Sequence, residues 1–523
     1  MFEGDNKREK VIVLLTMCFA LFMAMLDNTV VNVALPTLSR QLGAGVSGLQ
    51  WIVDGYVLAF ASLLLTGGIL GDRYGRKKMF LAGLAGFTLA SLACGLSQNT
   101  AQLIGFRALQ GIGAALLMPG TLSILTVTFP PHERAKAIGI WAGVSGIALS
   151  LGPTLGGWMV EHVGWQSIFF LNVPIGVAGF VIGSRVIRES RAPMARQLDL
   201  AGLGLGTAGL FSMTYAMIEA NQKGWTDPLI LTTLSLAAAF FVAFISWEKR
   251  STKAMLPLSF FRIPAFSAGN GVAFSVSLGM FGTFFFASLY LQFIRNYSAF
   301  QAGVRFLPMT LMVIVAAPNA GRFASKYGPR IPMIIGPAMA GTGLLLLTRI
   351  GDSTPFYLIA PVFMLMGFGM GSTMTPMTAA VMNAVGPERA GLGSATTNTS
   401  RELGGVFGIA LLGTLLTTKL KSVLTVSIAG LGLSTQQQGV VLATAGHGRL
   451  DPTVLSALGP TQAAGVVHAY GSAFIDGFHL ALMVAAFFLF AAATASFLFI
   501  PRGAPQREYA APPAAEAEAA AAV

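Results

Sequence analysis

The chain reads as an all-α polytopic membrane protein in which two six-helix bundles flank two additional central transmembrane helices, fourteen spans in all. Three observations predict this. The 523 residues are 54% hydrophobic and only 10% charged, with a mean hydropathy of +0.70, which is too apolar for a soluble globular chain. Runs of about 20 apolar residues, each able to cross ~30 Å of hydrocarbon, recur along nearly the whole length. The pattern of the first half also returns in the second.

Apolar runs between polar breaks place spans near 11–36, 48–70, 79–97, 101–126, 137–160, 165–187, 198–218, 228–247, 265–293, 301–323, 331–350, 355–382, 391–418 and 474–500. With Lys7, Arg8 and Lys10 in the cytoplasm, alternation puts most Lys and Arg on that side, so both termini are expected there and the span number is even. The first span has no small-residue cleavage site after it and is read as retained. The stretch "GGILGDRYGRKK" after span two is echoed by "AGRFASKYGPR" after span ten, aligning Gly68 with Gly321. A second echo pairs "HERA" at His132–Ala135 with "PERA" at Pro387–Ala390. The offset gives residues 1–190 as an N-terminal six-helix bundle, 191–262 as two inserted helices and 263–500 as a C-terminal six-helix bundle. A polar, Gly-rich stretch, 419–472, is expected as a long external loop with room for short surface helices, and the low-complexity tail 501–523 as a disordered cytoplasmic segment. Parallel duplicated halves enclose a path near the midplane that opens alternately to each side, so the architecture predicts a transporter.

Composition excludes other classes. The formal charge of +12 is accounted for by topology and does not imply nucleic acid. Cys18 and Cys94 both fall in apolar spans, so neither a disulfide framework nor a Cys-based metal site is expected. No GxxxxGK[ST] loop supports an ATP-driven pump, and no HExxH or GxSxG constellation supports a membrane enzyme.

A charge at the centre of a span costs at least about 2.5 kcal/mol and needs a partner, water or a task. Asp27 in "LDNTVVNVALP", Asp54 in span two and Arg107 in span four all fall in the half of the membrane away from the termini. Two carboxylates near one guanidinium bind protons according to their surroundings, because burial favours the neutral acid and a nearby Arg the ionised one. Asp27 is the leading proton-coupling or cation-recognising acid, Asp54 its helper or the substrate-facing acid, and Arg107 the group that tunes them. A fixed, helix-orienting ion pair is the alternative. Asn28, Asn32 and Gln110 either line a cavity or hold helices together. Arg401 and Glu402 in span thirteen are buried ionisable groups with a local pairing as the plainer reading. Asp476 and His479 are read as interfacial. The abundant Phe and Met would suit a pliable apolar cavity, although packing and lipid contact use them more often.

Gly68, Gly71 and Gly75 permit a tight loop, in which Asp72 can accept from Arg or cap a helix. Gly152, Pro153, Gly156 and Gly157 in "GVSGIALSLGPTLGGW" allow close helix approach and a kink. "GGILGDRYGRKK" resembles the loop signature of the major facilitator superfamily, "RALQGIGAA" (Arg107–Ala115) its fourth-span signature and "LGPTLGG" (Leu151–Gly157) its antiporter signature. With "LDNTVVNVALP", "WQSIFFLNVPIG" and the six-two-six count, the chain resembles the fourteen-span drug:proton antiporters from about residue 11 to 500. "WIVDGYVLAFASLL" is similar to the methylenomycin A resistance type. The resemblance implies a major facilitator fold, and a latch of Asp72, Arg73 and Arg76 that ties spans within one half and to the facing half in the outward-open state. The second-half copy departs, with Ser325 and Pro329 in place of Asp72 and Arg76, and should hold more weakly. It further implies export of hydrophobic drugs or antibiotics, cationic ones included, in exchange for protons, by alternating access. The proton gradient would supply the energy, with no cofactor, in a lipid-surrounded monomer of a bacterial plasma membrane. A dedicated exporter of one natural product, an importer of a small metabolite and a non-transporting membrane sensor are the competing readings.

Overall fold

A backbone N–H or C=O inside hydrocarbon has no water to bond, so each crossing must satisfy its hydrogen bonds internally. The computed structural model describes residues 7–191, 199–251, 258–351, 354–385, 390–446, 450 and 452–502, and among them every regular element is a helix. The first bundle comprises α1 (Lys7–Leu42), α2 (Val46–Tyr74), α3 (Arg76–Gly95), α4 (Thr100–Thr128), α5 (Pro131–His162) and a sixth crossing split into α6 (Ser167–Phe170) and α7 (Asn172–Val186). The inserted pair is α8 (Leu200–Lys223) and α9 (Pro228–Arg250). The second bundle comprises α10 (Pro264–Leu289), extended by a π turn, α11 (Ala299–Tyr327), α12 (Arg330–Leu347), α13 (Phe356–Val385), α14 (Ala390–Ala429) and α17 (Pro460–Phe499). Between the last two lie the short helices α15 (Thr435–Gly446) and α16 (Pro452–Ser456). Thirteen crossings are long and apolar enough to span a bilayer among the described residues. The fourteenth is α5, which packs on α1 and α11.

The break between α6 and α7 has a local cause. Pro174 lacks the N–H that would bond back to Phe170, so the ladder is interrupted beside Asn172.

The two bundles repeat the same contacts. A Cβ on Gly111 of α4 would lie 2.3 Å from the Tyr56 carbonyl oxygen of α2, and one on Gly367 of α13 would lie 2.0 Å from that of Met309 on α11. Only glycine lets these helix pairs approach so closely. The loops that echo one another in sequence also share a backbone form: Gly75, between α2 and α3, has φ 122°, and Gly328, between α11 and α12, has φ 94°. The inserted helix α8 packs against both α2 and α14, at the seam between the bundles. Its Glu219 accepts from Ser47 (3.0 Å) and Trp51 (3.2 Å) of α2, and its Met217 carbonyl accepts from Thr414 of α14 (2.7 Å).

One expectation requires correction. Residues 419–472 are not a long loop: α14 runs on to Ala429 and α17 begins at Pro460. Hydropathy falls where Lys419 and Lys421 enter, yet a helix keeps its own hydrogen bonds outside hydrocarbon. Leu420, Leu424 and Ile428, one turn apart, are buried in the same cluster as Val466, Ala469 and Tyr470 of α17. The tail expected to be disordered lies, from residue 503 onward, outside the described residues, as do Pro387–Arg389 of the second echo.

Gly75 and Gly71 offer a matched stability test. A Cβ on Gly75 would meet the Glu189 carboxylate at 2.7 Å at a φ that L-residues avoid, whereas one on Gly71 would meet nothing within 4 Å. Gly75→Ala should cost about 1–3 kcal/mol. Gly71→Ala, inside α2, should be neutral or gain up to ~1 kcal/mol. Thermal unfolding of the two purified variants in one detergent measures the difference.

A carboxylate network and a donorless acid in the first bundle

Arg107 on α4 is fully buried, and a guanidinium in that position must spend its N–H groups on the protein. Its Nη1 donates to Asp27 Oδ2 on α1 at 2.5 Å and to Gln110 Oε1, one turn along α4, at 2.8 Å. Its Nε donates to the Ile52 carbonyl of α2 at 3.1 Å. The ring of Tyr56, one turn further along α2, lies 4.2 Å from the guanidinium carbon, which adds a cation–π contact.

The second oxygen of Asp27 is equally well served. Oδ1 accepts from Gln110 Nε2 and from Asn172 Nδ2, each at 2.9 Å. Asn172 stands at the start of α7, where the Pro174 break lets it turn toward α1, and its Nδ2 also donates to Ser91 of α3 at 3.0 Å. Asp27 thus joins α1, α3, α4 and α7. It is 2% exposed, and its two oxygens accept three hydrogen bonds.

Asp54 is the opposite case. It is fully buried on α2, and neither carboxylate oxygen has a hydrogen-bond partner. Arg107 therefore serves Asp27 and not Asp54, so the three residues expected to act together divide into an ion pair and a separate acid. Glu402 on α14 resembles Asp54: it is 4% exposed, its Oε2 has no partner, and its Oε1 is 3.9 Å from Arg401 Nη2.

The neutral polar residues take separate places. Gln110 belongs to the network. Asn32 donates its amide to the Asn28 carbonyl (3.1 Å), while the side-chain oxygens of both asparagines stay buried and unpaired. His479 of α17 donates a ring N–H to the Ile350 carbonyl at 2.8 Å. Cys18 and Cys94 are both free and buried. Among the described residues no group of three His, Cys, Asp or Glu stands close enough to hold a metal ion.

The Gly-Pro segment of α5 links this network to the other bundle. A Cβ on Gly152 would sit 1.8 Å from Thr29 Oγ1, and one on Gly156 would sit 2.8 Å from Val30 Cγ1, two and three residues after Asp27. On the adjoining face, a Cβ on Gly157 would be 2.4 Å from the Ala299 carbonyl oxygen, and one on Gly303 would be 2.1 Å from that of Pro153. Helix α5 is therefore in backbone contact with α11 while pressing on the turn that carries Asp27.

Other bonds join the halves at the same level. Ser288 and Gln292 donate to the Asn32 and Val33 carbonyls, and Gln50 donates to that of Ile409. These groups lie toward the end of the molecule distal to the chain termini. At the terminal end, ion pairs are made within one half, as in Lys10–Glu133 and Arg188–Glu9. The loop after α2 behaves likewise. Arg76 donates twice to Asp72 (2.9 and 2.8 Å), and Glu189 accepts from the Lys77 and Lys78 amides at the start of α3 (3.1 and 3.2 Å). Arg73 packs on the Tyr74 ring. In this conformation those partners belong to the first half.

Asn172, Ser91 and Tyr56 were missed by the sequence reading. The available signal was a single Asn two residues before Pro174 in the apolar run "FFLNVPIG", but its role depends on which helices it meets.

Removing one partner of the buried pair leaves the other charged and alone, so Arg107→Met should cost about 3–5 kcal/mol. Asp27→Asn/Arg107→Met should recover much of that loss. Asn172→Ala should cost about 1–3 kcal/mol, having removed one donor. Thermal unfolding in detergent ranks the three.

Comparison with known proteins agrees with this arrangement. The family profile of the Major Facilitator Superfamily matches residues 17–409. The chain is 36% identical to the "Tetracenomycin C resistance and export protein" of Streptomyces glaucescens, over 78% of this chain and 76% of that one. It is 37% identical to the "Methylenomycin A resistance protein" of Bacillus subtilis, over 77% and 87%. It is 34% identical to the "Multidrug resistance protein Stp" of Mycobacterium tuberculosis, over 80% and 78%. Among solved structures, a bacterial homolog of the human lysosomal transporter Spinster, inward-facing and unoccupied, superposes with a TM-score of 0.64 at 16% identity, covering 95% of this chain and 99% of that one. The chain belongs to the Major Facilitator Superfamily, as a multi-pass membrane transporter related to antibiotic and multidrug resistance exporters.

Proposed function

We propose that the protein exports hydrophobic drugs or antibiotics, cationic ones included, across a bacterial plasma membrane in exchange for protons, as a monomer with both termini in the cytoplasm. The observation that carries this reading is the contrast between two acids on neighbouring helices: Asp27 with three donors and Asp54 with none. An ionised carboxylate without donor or water is costly to bury, and protonation removes that cost. Asp54 is thus the acid that would hold a proton in the conformation whose halves meet at the distal end. Glu402, with one oxygen unpartnered, is the corresponding acid of the second half.

Alternating access supplies the loading step. Separating the halves at the distal end pulls α5 from α11 and α2 from α14 and opens Asp54 to the outer solution, from which it takes a proton; closing that end buries the neutral acid, and substrate arriving from the terminal side displaces the proton to the cytoplasm. The same motion shifts α1 through the α5 glycines and loosens the donors around Asp27. Asp54 is then the acid that exchanges its proton for substrate, and Asp27 the carboxylate that attracts a cationic one. The names of the relatives, which include a tetracenomycin C exporter and a multidrug resistance protein, favour drug or antibiotic substrates over a small imported metabolite.

The test is drug-induced proton release from the purified protein in detergent, with cationic and neutral compounds, for the parent, Asp27→Asn and Asp54→Asn. The expected outcome is that Asp54→Asn binds drug without releasing a proton, while Asp27→Asn is impaired in binding cationic compounds. Release undiminished in both variants would exclude these acids as the coupling sites. Failure of the parent to drive proton-dependent accumulation in inverted vesicles would exclude export by antiport.

A further inference from the structure

The lateral face of the first bundle carries a groove of about 410 Å³ between α1 and α7. Its walls are Leu15 and Phe19 of α1 and Pro174, Ala178 and Ile182 of α7, all apolar. The one polar wall residue, Thr16, spends its hydroxyl on the Ile12 carbonyl at 2.8 Å. Leu15, Phe19 and Ile182 are exposed, and on a membrane protein such a surface meets lipid tails.

The end of the groove is charged. Arg8 lies one turn before Ile12 on the groove face of α1, and Arg185 lies three residues after Ile182 on that of α7. The ends of the two helices are held together by the Glu9–Arg188 bridge at 3.1 Å. Both Arg8 and Arg185 are exposed, and neither is held in an ion pair among the described residues. The acids around them are engaged: Glu9 by Arg188, Glu133 by Lys10, and Glu189 by the α3 amides. Two guanidiniums without an ion-pair partner among the described residues thus mark one end of an apolar channel that runs along the helices.

We propose that this groove is a binding site for an anionic phospholipid, with one acyl chain between α1 and α7 and the headgroup phosphate between Arg8 and Arg185. Guanidinium recognises phosphate through paired N–H donors, and basic residues at the ends of membrane-spanning helices attract anionic lipid. Because α1 carries Asp27, the lipid would rest against the back of the helix that holds the carboxylate network.

Native mass spectrometry of the purified full chain, supplied with phosphatidylglycerol and phosphatidylethanolamine of matched acyl chains, tests this. The parent should retain phosphatidylglycerol preferentially, and each charge removed in Arg8→Gln and Arg185→Gln should lower that preference roughly fivefold. Ala178→Phe, which fills the groove and leaves both charges, should reduce retention of phosphatidylglycerol, with unfolding temperature confirming that the variants are folded. Equal retention of the two lipids by the parent, unchanged preference in the double arginine variant, or unchanged retention in Ala178→Phe would each overturn the proposal.

Discussion

The arrangement of the first bundle depends on one requirement: a guanidinium buried in a membrane protein must find acceptors within the protein. Arg107 has five N–H groups and no access to water. Its acceptors come from α1, α2 and α4 itself, and the acid it pairs with draws further donors from α4 and α7. Four crossings are thus fixed in rotation and depth by a single ion pair. The close glycine contacts between α2 and α4 follow, since the Ile52 carbonyl has to come within hydrogen-bond reach of Arg107. Such a network contributes more to specificity than to net stability, because both charges were desolvated to form it.

The network is nevertheless not complete. Arg107 Nη2, Asn172 Oδ1 and both oxygens of Asp54 are buried without partners. In a rigid structural protein such omissions would be costly defects. On the proposed alternating-access cycle they would be the groups whose partners change between conformations. The contacts between the halves suit that role. They are backbone-to-backbone approaches at Gly157 and Gly303, together with single hydrogen bonds to carbonyls, which separate and re-form without leaving a charge stranded. Helix α8 adds a bridge between α2 and α14, so the inserted pair is placed to share in any motion at that seam.

The fold was largely legible in the sequence. Hydrocarbon imposes a length and an apolar composition on each crossing, and both survive as runs of letters, so fourteen spans and the repeat could be read directly. Segment 419–472 was misread because helices extend beyond the bilayer once hydropathy ceases to mark them, and the burial of Leu424 or Ile428 depends on α17 lying alongside. In the candidate site, Asp27, Arg107 and Gln110 were visible as polar groups in apolar runs. Asn172 was no less polar, and Pro174 marked an interruption of its helix, but the sequence does not show that its side chain meets Asp27 of α1.

The sequence by itself determined that this chain spans a membrane many times, that its halves are copies, and that a few charges lie where charge is expensive. It could do so because solvation is a property of each segment and its neighbours in the chain. Which acid received the guanidinium, and which was left without a donor, was decided only by the tertiary structure. Asp27 and Asp54 are alike as residues, but a hydrogen bond forms only within about 3 Å. That distance is set by how α1, α2, α4 and α7 are rotated against one another.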